Sequence, residues 1–458
     1  MHPFSLPIMK NRLTPTRVRA VISWSRSIPE RPATGAAPPA RAHGGLNSPA
    51  LVPHHPGRDQ AVPHAATKRC GRIGPIGRLL PQRVAREGRG EIRASRGQLP
   101  GAIAGNNSMA RARVATHAWV MSITAARRPV TLLRLDPADT VLVDDLLALR
   151  AAVEAHDYPD LPPPCPVEHA SAVRRAWPGE RLEHHLAVVR GEVVGWLGLG
   201  FPLFDNQDTV MVELEVHPDH RGHGVGTALA GLMRERAVEG NRHLAIYEVS
   251  EDSAGAAFSD RLHGERALPS VMRVLDVREI DAGAQAALAQ NARARAGGYE
   301  LVSWRGTTPA EYVEDLAVLV ARMSIDPPLG ALLWEPEAVD SVRLRAREVT
   351  MDERGLRRWT TAVRPVAGGL VGFTRVFARA SHHHDADQGD TIVLTEHRGH
   401  RLGALMKHQN LALVRADMPE LARVWTWNAA ENVHMVSVNE AMGFRRHSNW
   451  FECQLHLG

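Results

Sequence analysis

Three glycines in five residues, Gly222, Gly224 and Gly226, follow Arg221 and run into Val225, Leu229, Leu232 and Met233. Those four apolar residues fall at i, i+4, i+7 and i+8, one face of a helix. A glycine loop that opens a helix offers free backbone N–H groups at the positive end of the helix dipole, a seat for phosphate. Glycine lets the backbone approach such a group without a Cβ in the way. The spacing is not that of a dinucleotide fingerprint, and no Gly-Lys-Ser/Thr follows, so it is not a Walker A loop. A plain strand-to-helix turn fits the same residues. Eight residues before Arg221, Glu213 interrupts the apolar positions Val212, Leu214 and Val216. A carboxylate there suits proton transfer, and equally suits the solvated face of an alternating strand.

The same arrangement occurs twice. Val194, Gly195 and Trp196 return as Val371, Gly372 and Phe373, an offset of 177. Arg221-Gly-His-Gly-Val-Gly226 returns as Arg398-Gly-His-Arg-Leu-Gly403 at that same offset, and Glu213 lands on Asp390. Arg401 replaces the glycine at position 224 and either blocks an anion or supplies a cation to it. Self-similarity in one register marks two copies of one structural unit.

A strand ending Val-x-Pro, then Arg221, Gly224 and Gly226 in the pattern Arg/Gln-x-x-Gly-x-Gly/Ala, strongly resembles the pyrophosphate-binding motif of the GNAT acyltransferase superfamily. The segment from Trp425 to Phe444 is similar to that family's later motif: Asn432 matches its Asn, and Gly443 with Phe444 match its Gly-Phe. The family's Tyr, often the acid for the leaving thiolate, is Asn439 here. In the first copy Phe258 takes that position and Glu251 that of the Asn. The resemblance implies an α/β (α+β) fold: two tandem GNAT domains, each a mixed, mostly antiparallel sheet flanked by helices. Its splayed central strands would hold acetyl-CoA. The backbone near Val216 would pair with the pantetheine arm, while Arg221, Gly222, Gly224, Val225 and Gly226 would take the pyrophosphate. Val393, Arg398, Gly403 and Asn432 are the matching second-copy positions.

The resemblance further implies direct attack of an amine on the thioester, which needs a base; Glu213 and Asp390 are the candidates. Tyr247, on the next strand, is a candidate acid or a half-buried strand residue. His217, His220, His223 and His400 fit no usual zinc spacing and read as loop residues. His382, His383 and His384 with Asp385 and Asp387 read as an exposed hairpin tip rather than a metal site. Trp334, Trp359, Trp425 and Trp427 read as core rather than an acceptor cage.

The elements that must position these groups are legible. Apolar residues show helical spacing over 141–153 and 310–323. Residues 186–189 with 193–199, and 361–363 with 370–376, read as strand pairs around Gly191 and Gly368-Gly369. Residues 210–216 and 391–394 read as the strands feeding the two loops. The domains are then 128–280 and 299–458, joined by an alanine-rich linker at 281–298 that can carry some helix.

Residues 1–120 differ in kind. They hold 19 Lys+Arg against 4 Asp+Glu and 14 of the 31 prolines, with no sustained apolar period. This composition predicts a disordered segment, or an over-called start, since only three of the 55 basic residues are lysines. The rest of the chain carries a net charge of −10, so the net +5 does not mark a nucleic-acid binder. No stretch spans a bilayer. Three distant cysteines, Cys70, Cys165 and Cys453, make neither a disulfide scaffold nor a zinc site and suit the cytoplasm. The expected function is acetyl-CoA-dependent N-acetyl transfer to a small-molecule amine, with no metal. A mycothiol-synthase-like enzyme and a non-catalytic acyl-CoA sensor are the alternatives, the latter because both copies lack the tyrosine.

Overall fold

The computed structural model describes residues 129–458, so the reading of residues 1–120 lies outside it. Strand β1 (Thr131–Arg134) is followed by helices α1 (Thr140–Asp157) and α2 (Pro166–Arg174). Asp139 caps α1 by accepting from the amides of Val141 and Leu142. Strands β2 (Glu180–Val189) and β3 (Glu192–Pro202) form a hairpin. Its two turn residues, Arg190 and Gly191, both have positive φ, which matches the twist of the flanking strands. Then come β4 (Thr209–Val216), α3 (Val225–Glu239), β5 (Leu244–Ser250), α4 (Ala254–Arg261) and β6 (Glu265–Asp276).

The second copy repeats this order. It has β7 (Tyr299–Arg305), α6 (Val313–Arg322), α7 (Ser341–Glu353), β8 (Leu356–Pro365), β9 (Gly372–Arg379), β10 (Asp385–Val393), α8 (Leu402–Asp417), β11 (Arg423–Ala429), α9 (Val433–Ala441) and β12 (Arg445–His456). The alanine-rich segment between the copies is helix α5 (Ala282–Arg295). It packs on α8 through the fully buried Ala292, and Gln285 donates to the carbonyl of Met442 at 3.0 Å.

All twelve strands join in one sheet of order β1-β2-β3-β4-β5-β12-β6-β11-β10-β9-β8-β7. The order is palindromic, and its centre is exchanged. The last strand of the second copy, β12, pairs with β5 of the first, while β6 of the first pairs with β11 of the second. Cys453, Leu455 and Leu457 thereby complete the core beneath α3 and α4 of the other copy.

In each copy one parallel pair begins and fails. β4 pairs with β5 only at Thr209, Val210 and Met211. β10 pairs with β11 only at Asp385, Ala386 and Asp387. Beyond these rungs the strands diverge. Among the described residues no helix is long and apolar enough to cross a membrane.

Candidate functional site

The first loop is built by two left-handed glycines. After Val216 the chain makes a one-turn 3-10 segment, Pro218–His220; Gly222 (φ 75°) and Gly224 (φ 89°) then redirect it into α3. Gly224 is the N-cap and supplies no side-chain cap, so the first amides of α3 lie at an open helix start. Arg221 is not aimed at a ligand. Its Nε donates to the Val216 carbonyl at 3.1 Å, and its two terminal nitrogens each donate to Asp157 at 2.9 Å. It braces the loop against the end of α1. Asp157, Arg221 and residues 250–254 border an open cleft at the mouth of the β4/β5 divergence, with Arg446, His447, Ser448 and Asn449 of β12 opposite.

The second loop repeats the brace. Arg398 donates from Nε to the Val393 carbonyl at 3.0 Å and from Nη2 to Asp326 at 2.6 Å. Arg401 takes the place of Gly224 with φ 57° and keeps the left-handed cap. A Cβ added at Gly403 meets nothing nearer than Thr391 at 4.0 Å, so that helix start is open as well.

Glu213 is not on a solvated face. Val212, Leu214 and Val216 do point into the core under α3, but α1 covers the other side. Arg150 of α1 donates to Glu215 at 3.2 Å and to Glu213 at 3.5 Å, and its guanidinium lies 4.1 Å from the centre of the Trp196 ring. Glu215 is fully buried. Glu213 remains partly open, on a cavity lined also by Trp177, Glu180, His184 and Arg354. Burial pushes the His184 imidazole down to about 3, so it stays neutral. Arg354 comes from the second copy.

Tyr247 is corrected to a core residue. Its hydroxyl bonds Ser259 Oγ at 2.7 Å, and burial holds the phenol well above its usual range. Phe258 is corrected too. The amide of Gly264 donates to the carbonyl of Ser259 as that of Phe444 donates to Asn439, so Ser259 is the counterpart of Asn439. Ser253, accepting from the Ala256 amide, caps α4 as Asn432, accepting from Met435, caps α9. Glu251 therefore does not stand in for Asn432.

Asp390 and Asn432 meet at the second divergence. They line a slot with Thr391, Lys407, Trp427 and Asn428. The histidine-rich segment is an exposed turn only at His383 and His384. His382 is buried and bonds the Pro163 carbonyl at 2.8 Å, Asp385 accepts from Arg423 and Trp425, and Asp387 pairs with Arg379. Trp334, Trp359 and Trp425 are buried core residues, while Trp427 borders the slot. Asp157, Asp326, Arg150 and Lys407 escape the sequence reading. The Asp157–Asp326 offset is 169 rather than 177, so the internal register hides that pair.

The family model described as "Acetyltransferase (GNAT) family" matches residues 150–259, from Arg150 through both sides of the first divergence. A solved structure, a tandem GNAT protein from the clavulanic acid biosynthesis pathway, aligns over 72% of this chain and 99% of its own, with 31% identity and a TM-score of 0.62. The chain belongs to the GNAT acetyltransferase superfamily. It is a tandem GNAT protein. Two curated relatives named mycothiol acetyltransferase, from Frankia casuarinae and a Parafrankia species, are each 33% identical, over 117 and 144 residues. Those matches span 26% and 31% of this chain, but only 30% and 41% of the relatives.

Proposed function

We propose that this tandem GNAT protein transfers the acetyl group of acetyl-CoA to a primary amine of a small molecule, by direct attack in a ternary complex. The observation that carries this is the early divergence of β4 from β5, ending in a loop with two left-handed glycines and an uncapped helix start. The amides at Gly222, Gly224, Val225 and Gly226 suit a pyrophosphate. The open edge of β4 leading to Val216 suits a pantetheine arm. Arg221 acts as the brace of that loop. In the second copy Val393, Arg398 and Gly403 form the corresponding frame.

Glu213 is the proposed base. It faces a cavity on the α1 side of the sheet, 3.5 Å from Arg150, and a carboxylate there suits the transfer of the proton the amine must lose. Asp390 has that place in the second copy. Asn439 and Ser259 replace the tyrosine acid, and the thiol of CoA, with a pKa near the ~8.5 of free cysteine, leaves without one. The cavity beside Glu213 holds two carboxylates and two guanidiniums. The acidic excess of residues 121–458 therefore does not become an acidic pocket, and the reading favours an acceptor that is not a polycation. A mycothiol-type acceptor is the second reading, supported by the names of the two curated relatives. Buried free thiols at Cys165 and Cys453 fit a reducing cytoplasm.

The test is calorimetric titration of acetyl-CoA into the full chain, with turnover over an amine panel. Parent, Gly224→Trp with Gly226→Trp, and Gly403→Trp are compared. Loss of binding and turnover in the first variant supports the first copy as the transfer site. Loss only in Gly403→Trp moves the chemistry to the second copy. Binding without turnover of any amine favours the sensor.

A further inference from the structure

Among residues 129–458 there is a single lysine, Lys407; every other long-chain cation is arginine. The difference is chemical. A guanidinium stays protonated and is a poor nucleophile, whereas a buried ammonium gives up its proton and becomes an amine. Lys407 lies on α8 with 1% of its surface exposed and lines the slot where β10 and β11 diverge. Its Nζ donates to Oδ1 of Asn439 at 2.9 Å, and Nδ2 of Asn439 donates to Oδ1 of Asn428 at 2.6 Å. That partner is a neutral amide rather than a carboxylate. Burial pushes the amine down to about 7. In the 177-residue register the first copy has Ala230 at this position. The amine is therefore peculiar to the second copy, beside the residue that replaces the family's tyrosine.

We propose that the second copy is self-modifying: its slot takes an acetyl thioester and passes the acetyl group to Nζ of Lys407. This rests on reading the divergent strands as acetyl-CoA sites. The lone pair of neutral Nζ attacks the thioester carbonyl carbon. The C–N bond forms, the C–S bond breaks, and CoA leaves as a thiolate that takes the proton the nitrogen loses. The Asn439 amide holds Nζ in the slot without fixing its proton. The product, an Nε-acetyl-lysine, carries no charge and fills the slot, so the second copy takes one acetyl group and stops.

The experiment incubates the full chain with acetyl-CoA and no acceptor, then reads intact mass and maps peptides. The expected result is one acetyl group per chain on Lys407, with a rate that saturates in acetyl-CoA, and none in Lys407→Met. Circular dichroism shows whether that variant is folded. Acetyl groups only on Lys10, Lys68 or the amino terminus overturn the proposal, as does a rate that is linear in acetyl-CoA and unchanged in the heat-unfolded chain. Calorimetric binding or amine turnover with an unmodified Lys407 peptide overturns this proposal alone. No binding at all overturns it together with the proposed function.

Discussion

At the scale of single residues, charge burial sets the strongest constraints. Arg150 and Glu215 are 3% and 0% exposed, and Glu213 shares the same guanidinium. Removing one partner of a buried pair leaves an uncompensated charge, a loss of roughly 3–5 kcal/mol. Arg150→Ala is therefore expected to lower the urea stability by about 3 kcal/mol, and adding Glu215→Gln to recover part of it. An Arg150→Ala chain of parental stability contradicts this pairing. Lys407 gives a pH signature. Its folded-state pKa of about 7 lies below the ordinary 10.5, so above pH 7 the unfolded chain holds a proton that the native chain has released. Stability from this group must then rise with pH from about 7 toward 10, by up to about 1.4 kcal/mol per pH unit, and be flat below. Asp390 lines the same slot, so the comparison is with Lys407→Met, which retains Asp390. The parent-minus-variant stability difference should therefore increase as pH rises from about 7 toward 10; a constant difference rejects the burial effect. Sequence showed Glu213 and Asp390 by register, but not Arg150, because a cation on a distant helix carries no local signal.

At the scale of elements, the two loops show how much a backbone conformation dictates. Gly224 and Arg401 occupy the same left-handed cap, but only glycine adopts it freely. A side chain in that region costs roughly 1–2 kcal/mol. Arg401→Gly is expected to raise stability by about 1 kcal/mol, seen as a higher urea midpoint at unchanged m-value. A lower midpoint would mean that the Arg401 side chain makes contacts worth more than the strain. The helices after β5 and β11 teach the opposite lesson. The 177-residue register holds through the glycine loops and then slips by two or three residues, since Ser253 matches Asn432 and Ser259 matches Asn439. Phe258 and Glu251, both 181 residues before Asn439 and Asn432 respectively, therefore lie one and two residues short of the true counterparts. Capping and C-terminal hydrogen bonds, not sequence spacing, define which helix positions correspond.

At the scale of the whole molecule, the exchanged strands make the copies interdependent. Without β12, β5 becomes a bare edge, and the core beneath α3 loses Cys453, Leu455 and Leu457. Other contacts cross in both directions. Glu168 accepts from Arg379 at 2.7 Å, Tyr158 stacks on Trp450 at 5.3 Å, and Leu332 and Trp334 pack with Met211, Ile246 and Leu268. Residues 129–280 alone are thus expected to show no cooperative thermal transition by circular dichroism, and to regain one on co-expression with 281–458. A first half that melts cooperatively as a monomer would show that β12 is dispensable. The sequence by itself determined the repeat, the strand–loop–helix order of each copy and the glycine loops, because these rest on local periodicity and on backbone conformations that few residues adopt. Only the tertiary structure decided that β6 and β12 change places, that Arg221 braces rather than binds, and that the lone lysine of the described chain faces a slot. Strand partners and side-chain neighbours far apart in sequence are selected by the burial each arrangement achieves, and no spacing along the chain records that choice.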